Sequence, residues 1–316
     1  MHAYFSDHFV LPLPAGHRFP MAKYRMLRER VESELLGVAL SEPQAASIGQ
    51  LALAHDSRYI ERVIRGTLES AEVRAIGFPW SPQMVERSLR SAGATIAACR
   101  AARADGVAVN LAGGTHHAQR ARGAGYCVFN DAAVAARVLQ SDGAPARQHL
   151  PVAIIDLDVH QGDGTAEILA GDRSVFTLSI HGASNFPFRK QRSDLDVALP
   201  DGTRDEDYLG ALDGALDELR RRFDPAFIVY VAGADAHEDD RLGKLALTSA
   251  GMAERDRRVF AFAAKLGAPV AVTMAGGYGR DIATTVDVHL NTVRAARDAW
   301  RDWQRAARSH ATVRHG

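Results

Sequence analysis

One stretch of the chain, PVAIIDLDVHQGDG at residues 151–164, joins an apolar run to a cluster of groups that can do chemistry. The apolar part has the composition of a buried strand, yet four titratable residues follow within eight positions: Asp156, Asp158, His160 and Asp163. Burying carboxylates there is strongly unfavourable unless a metal ion or hydrogen-bond partners compensate their charge. The stretch therefore predicts a bound metal or partner side chains supplied from elsewhere in the chain.

The spacing of Asp158 and His160 suits a metal. Side chains two positions apart on an extended segment point the same way, and Asp235 in VAGAD follows another apolar run, so it can supply a third ligand. Two carboxylates and one imidazole suit Zn²⁺ with an open coordination position, as in catalytic sites. Fe²⁺ is an alternative, because oxygen and nitrogen ligands discriminate weakly between these ions. Without a metal, Asp158 and His160 would hydrogen-bond each other and cap a helix.

A pair of histidines in GGTHHA offers a base. Two carboxylate ligands leave a metal-bound water less acidified than an all-histidine site would, so a protein base should help. His116 and His117 are the candidates, and Asp156 and Asp163 are the carboxylates available to fix their tautomers. Taken alone, adjacent histidines are more often surface residues; next to a metal site we interpret them as catalytic.

A tyrosine follows two glycines in AGGYGR. The phenol of Tyr278 could donate a hydrogen bond to a developing oxyanion. The alternative is that the ring only packs against the core.

Five short apolar runs alternate with amphipathic segments and must position these groups. Runs apolar on both faces and separated by helices predict a parallel sheet covered on both sides, an α/β fold. Polar candidates follow each run, and ligands bind at the carboxyl ends of parallel strands. The predicted strands are 107–112, 151–157, 174–180, 226–233 and 269–275.

The first 105 residues are predicted to be mainly helical, with helices in 17–33, 42–56 and 81–106. Further helices are predicted in 130–140, 205–223 and 248–267. No repeat or long linker divides the sequence, so we expect residues 1–316 to form a single catalytic domain.

The composition excludes several classes of partner. Lys plus Arg equals Asp plus Glu at 38 each, so net charge does not draw the chain to nucleic acid or anionic lipid. No apolar run reaches the ~18 to 20 residues of a membrane span, and the N-terminus lacks a secretory pattern. We expect a cytoplasmic protein with both cysteines, Cys99 and Cys127, reduced. The basic segment 293–316 predicts a terminal helix with Trp300 and Trp303 packed inward, or a contact with nucleic acid or membrane.

Five motifs in order, GGTHHA, GYCVFND, DLDVHQGDG, GADAHEDDRLG and AGGYG, resemble the zinc-dependent histone deacetylase superfamily over residues 107–290. Gln161 stands where many relatives carry a second histidine. Together with GFPWS and DGTRDEDYL, it makes the chain most similar to the class IV branch. The resemblance implies an arginase/deacetylase-like three-layer α/β/α fold with a mainly parallel eight-stranded sheet, and hydrolysis of an acylated lysine or related acylated amine.

The resemblance also implies roles by position. Asp158, His160 and Asp235 match zinc ligands. His117 matches the proton shuttle beside His116, Asp156 and Asp163 match the carboxylates behind the histidines, and Tyr278 matches the oxyanion-stabilising tyrosine. A structural monovalent cation, usually K⁺, is implied at Asp156 and Ser179. The residues implied to contact substrate are Gly125, Tyr126, Phe186 and Gly277.

Several departures and rival hypotheses stay open. No acidic rim loop is evident, since AIGFPWSPQ occupies that region. Arg18 could line an acetate-release cavity or start a helix. An arginase-type enzyme with two Mn²⁺ would need a carboxylate where Gly162 stands. An acetylpolyamine or small-metabolite deacetylase is a further hypothesis, and a catalytically inactive binding scaffold is another. Acyl length and oligomeric state cannot be predicted from the sequence.

Overall fold

Eight parallel strands form one sheet in the computed structural model, which describes residues 1–142 and 150–313, with side chains through Ser309. The spatial order is β2-β1-β3-β8-β7-β4-β5-β6. This confirms the predicted eight-stranded parallel sheet. The strands are β1 His2–Tyr4, β2 Ala39–Ser41, β3 Val107–Asn110, β4 Val152–Asp156, β5 Val175–Gly182, β6 Leu195–Leu199, β7 Phe227–Ala232 and β8 Val270–Met274.

Helices cover both faces of the sheet. The described helices are α1 Ala22–Glu34, α2 Ile48–Leu51, α3 Ser57–Arg65, α4 Ser70–Ile76, α5 Pro82–Asp105, α6 Asp131–Ser141, α7 Asp163–Ile168, α8 Asp205–Arg222, α9 Ser249–Leu266 and α10 Ile282–Val313. No helix in the described ranges is long and apolar enough to cross a membrane.

The central strands are buried on both faces, as their apolar runs predicted. In β4, Ala153 and Ile155 belong to one core cluster, whereas Val152 and Ile154 belong to the other. Alternation of side chains along a strand sends successive residues to opposite faces, so each strand contributes to two cores. The five predicted strands are all present, with bounds within two residues of those expected.

The structure differs from the prediction at three short strands and at one helix of the N-terminal third. The short strands β1 and β2 were missed because three residues are too few to show a periodicity, and β6 was missed because it is only partly buried. The helix expected in 42–56 is reduced to the four residues of α2. Ser47 caps α2 through Gln50, and the N–H of Ala46 already donates to Leu89, so the backbone before Ser47 is committed elsewhere.

The C-terminal helix packs on the body. A Cβ on Gly106 would lie 2.3 Å from Cγ of Trp303, so the indole covers that glycine, and Trp300 packs against the core. The packed arrangement predicted for these tryptophans is therefore seen, while residues 314–316 lie outside the described part. Cys99 and Cys127 are both free and buried.

Candidate active site

The three predicted metal ligands meet at the carboxyl ends of two neighbouring strands. Asp158 and His160 follow β4, Asp235 follows β7, and β4 pairs with β7 in the sheet. Nδ1 of His160 lies 3.0 Å from Oδ1 of Asp158 and 3.2 Å from Oδ2 of Asp235. One ligand atom from each residue lies within 4.8 Å of the other two.

This donor set fits a divalent cation. Both carboxylates are buried, and burial together with the charge of Asp158 raises the pKa of Asp235 to about 7. Backbone N–H groups hold each carboxylate on one side: Gly276 donates to Asp158 at 2.7 Å, and Val159 donates to Asp235 at 2.9 Å. Two buried like charges held at this separation are strongly unfavourable unless a cation lies between them.

Each predicted catalytic histidine is paired with a buried aspartate. Nδ1 of His116 lies 2.6 Å from Oδ2 of Asp156, and Nδ1 of His117 lies 2.6 Å from Oδ1 of Asp163. Both pairs are buried, and the imidazole rings are 4.2 Å apart between centroids. With each Nδ1 engaged, each ring keeps Nε2 for other partners.

The two histidines differ in basicity. Burial lowers the pKa of His116, but the charges of Asp156 and Asp158 outweigh burial and raise that pKa to about 9. Burial and the adjacent His116 lower the pKa of His117 to about 4, against the opposing effect of Asp163. A dication bound at the nearby carboxylates would lower the pKa of both rings from these values.

A cavity of about 320 Å³ opens onto these groups. The aromatic walls include Tyr126, which has φ of 66°, and Phe186, whose ring packs edge-on against His117 at 4.8 Å. A Cβ on Gly125 would lie 2.7 Å from Cδ2 of His117, so this position needs glycine. Gly276 lines the cavity, whereas Gly277, the predicted contact, is not among the lining residues in the described part of the chain.

Tyr278 lines the same cavity, and hydrogen bonds to its backbone hold the loop that carries it. Its backbone N–H donates to Oδ2 of Asp240 at 2.6 Å, and Nε of Arg241 donates to its carbonyl at 2.9 Å. Burial raises the pKa of the phenol well above its usual value. The hydroxyl therefore stays protonated and can act as a donor.

The residues implied for a monovalent cation lie at one level of the sheet. Asp156 and Ser179 are register partners between β4 and β5. Oδ1 of Asp156 accepts the N–H of Asp158 at 3.1 Å, and Oγ of Ser179 lies 3.0 Å from Nδ1 of His181.

A protein family described as "Histone deacetylase domain" matches residues 17–293 of the chain. The chain belongs to the histone deacetylase family. It is similar to an uncharacterized protein of Picosynechococcus sp., at 42% identity over 92% of this chain and 97% of that protein. It is also similar to histone deacetylase 2 of Arabidopsis thaliana, at 32% identity over 78% of this chain and 65% of that protein. A probable deacetylase of Archaeoglobus fulgidus is 32% identical over 80% of this chain and 72% of its own length.

Solved structures share the histone deacetylase fold. A histone deacetylase homologue from Aquifex aeolicus superposes with a TM-score of 0.79 at 21% identity, covering 93% of this chain and 83% of that one. The HDA15 HD domain superposes with a TM-score of 0.77 at 21% identity, covering 96% of this chain and 94% of that one.

Sequence reasoning missed a buried lysine in this histone deacetylase family member. Lys23 lines the cavity, and its Nζ donates to the carbonyls of Ala275 at 3.0 Å and Gly277 at 3.4 Å. Arg18, considered for the cavity lining, is instead exposed and lines a separate cavity with Arg241 and Arg280. A lysine in the first turn of a helix carries no signal that it is buried.

A buried histidine supports the turn that carries His116 and His117. His55 accepts the N–H of Asn130 at Nε2 (2.8 Å), and its Nδ1 lies 3.0 Å from the carbonyl of Gln119. Nδ2 of Asn130 in turn donates to the carbonyls of His116 and Ala118. Nothing in the local sequence around His55 marks this contact, because its partners lie more than sixty residues away.

Gln161, which follows His160 in the chain, fastens one wall of the cavity. Its Nε2 donates to the carbonyl of Gln191 at 2.7 Å and to Oδ1 of Asp196 at 2.8 Å, and its Oε1 accepts the N–H of Gln191 at 2.8 Å. These bonds hold the loop that includes Phe186. This chain thus uses an amide to fasten a loop directly beside His160.

A fully buried ion pair fastens the two strand ends that precede Asp158 and Asp235. Nη1 of Arg255 donates to the carbonyl of Gly233 at 2.7 Å and to that of Leu157 at 3.2 Å. Its charge is balanced by Asp256 at 2.8 Å, which also accepts hydrogen bonds from the hydroxyls of Tyr230 and Thr292. The Arg255–Asp256 pair therefore joins the ends of β4 and β7 to helices α9 and α10.

Proposed function

We propose that the chain is a metal-dependent deacylase that removes an acetyl or longer acyl group from a lysine side chain or a related amine. The observation that carries the proposal is the convergence of three metal-type ligands, a carboxylate-backed histidine pair and a buried tyrosine on one cavity. The best fit to the donor set is Zn²⁺, with Fe²⁺ as a substitute. The class IV assignment rests on Gln161 together with the stretches GFPWS and DGTRDEDYL, and a K⁺ at Asp156 and Ser179 is part of the proposal.

Asp158, His160 and Asp235 would hold the metal, which would act as a Lewis acid on the acyl carbonyl and on the attacking water. His117 would accept the water proton at Nε2 and return a proton to the departing amine. Asp163 orients His117 through Nδ1, and His116 with Asp156 supplies positive charge beside the reacting carbonyl. The phenolic O–H of Tyr278 would donate to the oxyanion.

The ligand count favours one metal over two. The described residues contain one cluster of three metal-type ligands, and Gly162 stands where a binuclear site would need a further carboxylate. A stoichiometry of two Mn²⁺ per chain would contradict the proposal.

The test measures turnover and metal content together on purified protein reconstituted with Zn²⁺. Fluorogenic lysine peptides of graded acyl length, with acetylpolyamines beside them, should reveal hydrolysis that a hydroxamate inhibits. Tyr278→Phe should lower kcat by about 10²- to 10³-fold with metal content unchanged, whereas Asp158→Ala should lose both. Tyr208→Phe is the matched control, because it removes another fully buried tyrosine hydroxyl, at a position that is not among the described residues lining the cavity.

Two outcomes would overturn the proposal. Equal metal loss in the tyrosine and aspartate variants would contradict the assigned roles. Failure to hydrolyse any of the acylated substrates by the metal-loaded protein would favour the inactive scaffold.

A further inference from the structure

Arg74 is held at the mouth of the cavity by the way α4 ends. The carbonyls of Ala75 and Ile76 accept the N–H groups of Gly125 and Tyr126, at 3.0 and 2.7 Å, so the last turn of α4 is bonded to the cavity wall. Gly77 closes the helix with φ of 83°, and a Cβ there would lie 2.9 Å from the Tyr126 ring. The backbone that carries Arg74 is therefore fixed relative to the active site.

The guanidinium of Arg74 has no partner in the described structure. Its side chain is exposed and lines the cavity without a hydrogen bond or ion pair. The nearest acid along the helix, Glu72, is bound to Arg62 at 2.7 Å and to the N–H of Glu69. The helix dipole stabilises a cation in the last turn of a helix whichever way its side chain points. The dipole therefore does not explain why Arg74 lines the cavity.

The segment that follows Phe186, a residue of the cavity lining, also carries exposed positive charge. The chain continues past Phe186 through FRKQR at 188–192, and Arg189 and Arg192 are exposed without an ion pair in the described structure. The acids that follow are engaged: Asp194 accepts from the N–H and hydroxyl of Thr177, and Asp196 accepts from Gln161.

The carboxylates among the described residues that line the cavity are the metal-type ligands Asp158 and Asp235. An acylated amine entering here would place its acyl group near those ligands and the rest of its body against the positive mouth. A polycation would meet like charge there, and an anion would meet opposite charge.

We infer that the preferred substrate carries a carboxylate close to the acylated amine, and that Arg74 recognises it. This inference rests on the proposed deacylase function and narrows its substrate class. The carboxylate can come from an acidic residue flanking an acyl-lysine in a peptide, or from the α-carboxylate of free acyl-lysine. Acetylated polyamines are then poor substrates.

The test uses acetyl-lysine peptides identical except for flanking Glu, Gln or Lys residues, together with free Nε-acetyl-lysine and its carboxamide. For the zinc-loaded wild type, kcat/KM should fall from Glu to Gln and again from Gln to Lys, by about two- to five-fold at each step, because one exposed charge pair has a modest effect. The preference should shrink at high salt. Arg74→Gln should remove it and Arg74→Glu should reverse it.

Arg65→Gln is the control, since Arg65 is an exposed arginine on α3 whose partner is Glu61. It should leave the order of substrates unchanged.

Preference for free acetyl-lysine over its amide would identify the α-carboxylate as the source, and preference confined to Glu-flanked peptides would identify a peptide. Equal hydrolysis of all charge variants, or a preference that survives in Arg74→Glu, would overturn the inference while leaving the deacylase function intact. Absence of hydrolysis of every substrate would instead contradict the function.

Discussion

Oδ1 of Asp163 lies 2.6 Å from Nδ1 of His117, and both side chains are buried. Burial alone would raise the pKa of Asp163, but the hydrogen bond and charge of His117 outweigh it and hold that pKa below its usual value. An ionised carboxylate at Nδ1 fixes the ring tautomer, so Nε2 is left as the atom that can accept a proton.

Asp163→Asn should therefore lower kcat by about 10²-fold or more, because an amide can stabilise the wrong tautomer of His117. Metal content should not change, since Asp163 is not one of the ligands. Gln119→Ala, which removes the bond to the other carboxylate oxygen, should have a much smaller effect on kcat. Unchanged turnover in Asp163→Asn would show that His117 is not the base.

Gln161→Ala should raise KM more than it lowers kcat, because the loop that carries Phe186 loses the three hydrogen bonds of a buried amide. The free energy of unfolding should drop by about 1 to 3 kcal/mol. Faster limited proteolysis within residues 184–193 would locate the change. Gln140→Ala is the control, because Gln140 is also buried but bonds to Leu150 and Ser174, away from the cavity. The same changes of KM and kcat in both variants would contradict a local role of Gln161 at the loop.

His55 should make stability dependent on pH. Burial lowers its pKa from 6.5 to about 4 in the folded protein, so below pH 6.5 the unfolded chain binds more protons than the folded one. The contribution of His55 to the free energy of unfolding is fully present above pH 6.5 and is lost as the pH falls to about 4. This contribution amounts to about 3 kcal/mol in total. A proton on Nε2 would in addition face the N–H of Asn130, which that nitrogen accepts in the folded protein. Unfolding by urea at pH 7 and pH 4.5 should show a smaller difference for His55→Gln than for the wild type; equal differences would refute the assignment.

Arg255→Met should lower the free energy of unfolding by about 3 to 5 kcal/mol, because it leaves Asp256 as an unpaired buried charge. If the variant folds, its zinc affinity should also fall, because the carbonyls of Leu157 and Gly233 lose their shared donor. Competition with a chromophoric chelator measures this without relying on activity. Arg258→Met, on the same helix but paired with Glu254 and Asp213, should retain wild-type zinc affinity.

The sequence predicted the parts of the structure that follow from strong local patterns. Buried runs such as 226–233 predicted strands, and the polar residues that follow them meet at one sheet edge because parallel strands share a direction. β1 and β2 were too short to show a pattern. The single-domain interpretation and the roles of individual site residues remain predictions.

The supporting contacts could not be predicted because their partners are remote in the chain. Lys23 bonds to residues about 250 positions away, and Arg255 reaches a carbonyl 98 positions away. A one-letter code shows neither that such a cation is buried nor which carbonyls it meets. Arg18 was considered for the cavity because its position in the sequence loosely matches that of a cavity-lining arginine in the family. In the structure Lys23, in the first turn of α1, points into the cavity instead.

The position of β7 in the sheet has a consequence for biosynthesis. β7 lies between β4 and β8, although β5 and β6, which come earlier in the chain, lie on the other side of β4. Asp235 therefore joins Asp158 and His160 only after a late strand has been inserted beside an earlier one. A nascent chain shorter than 235 residues lacks one of the three proposed ligands, so a metal could bind all three only after β7 has been synthesised, while β8 is still to come.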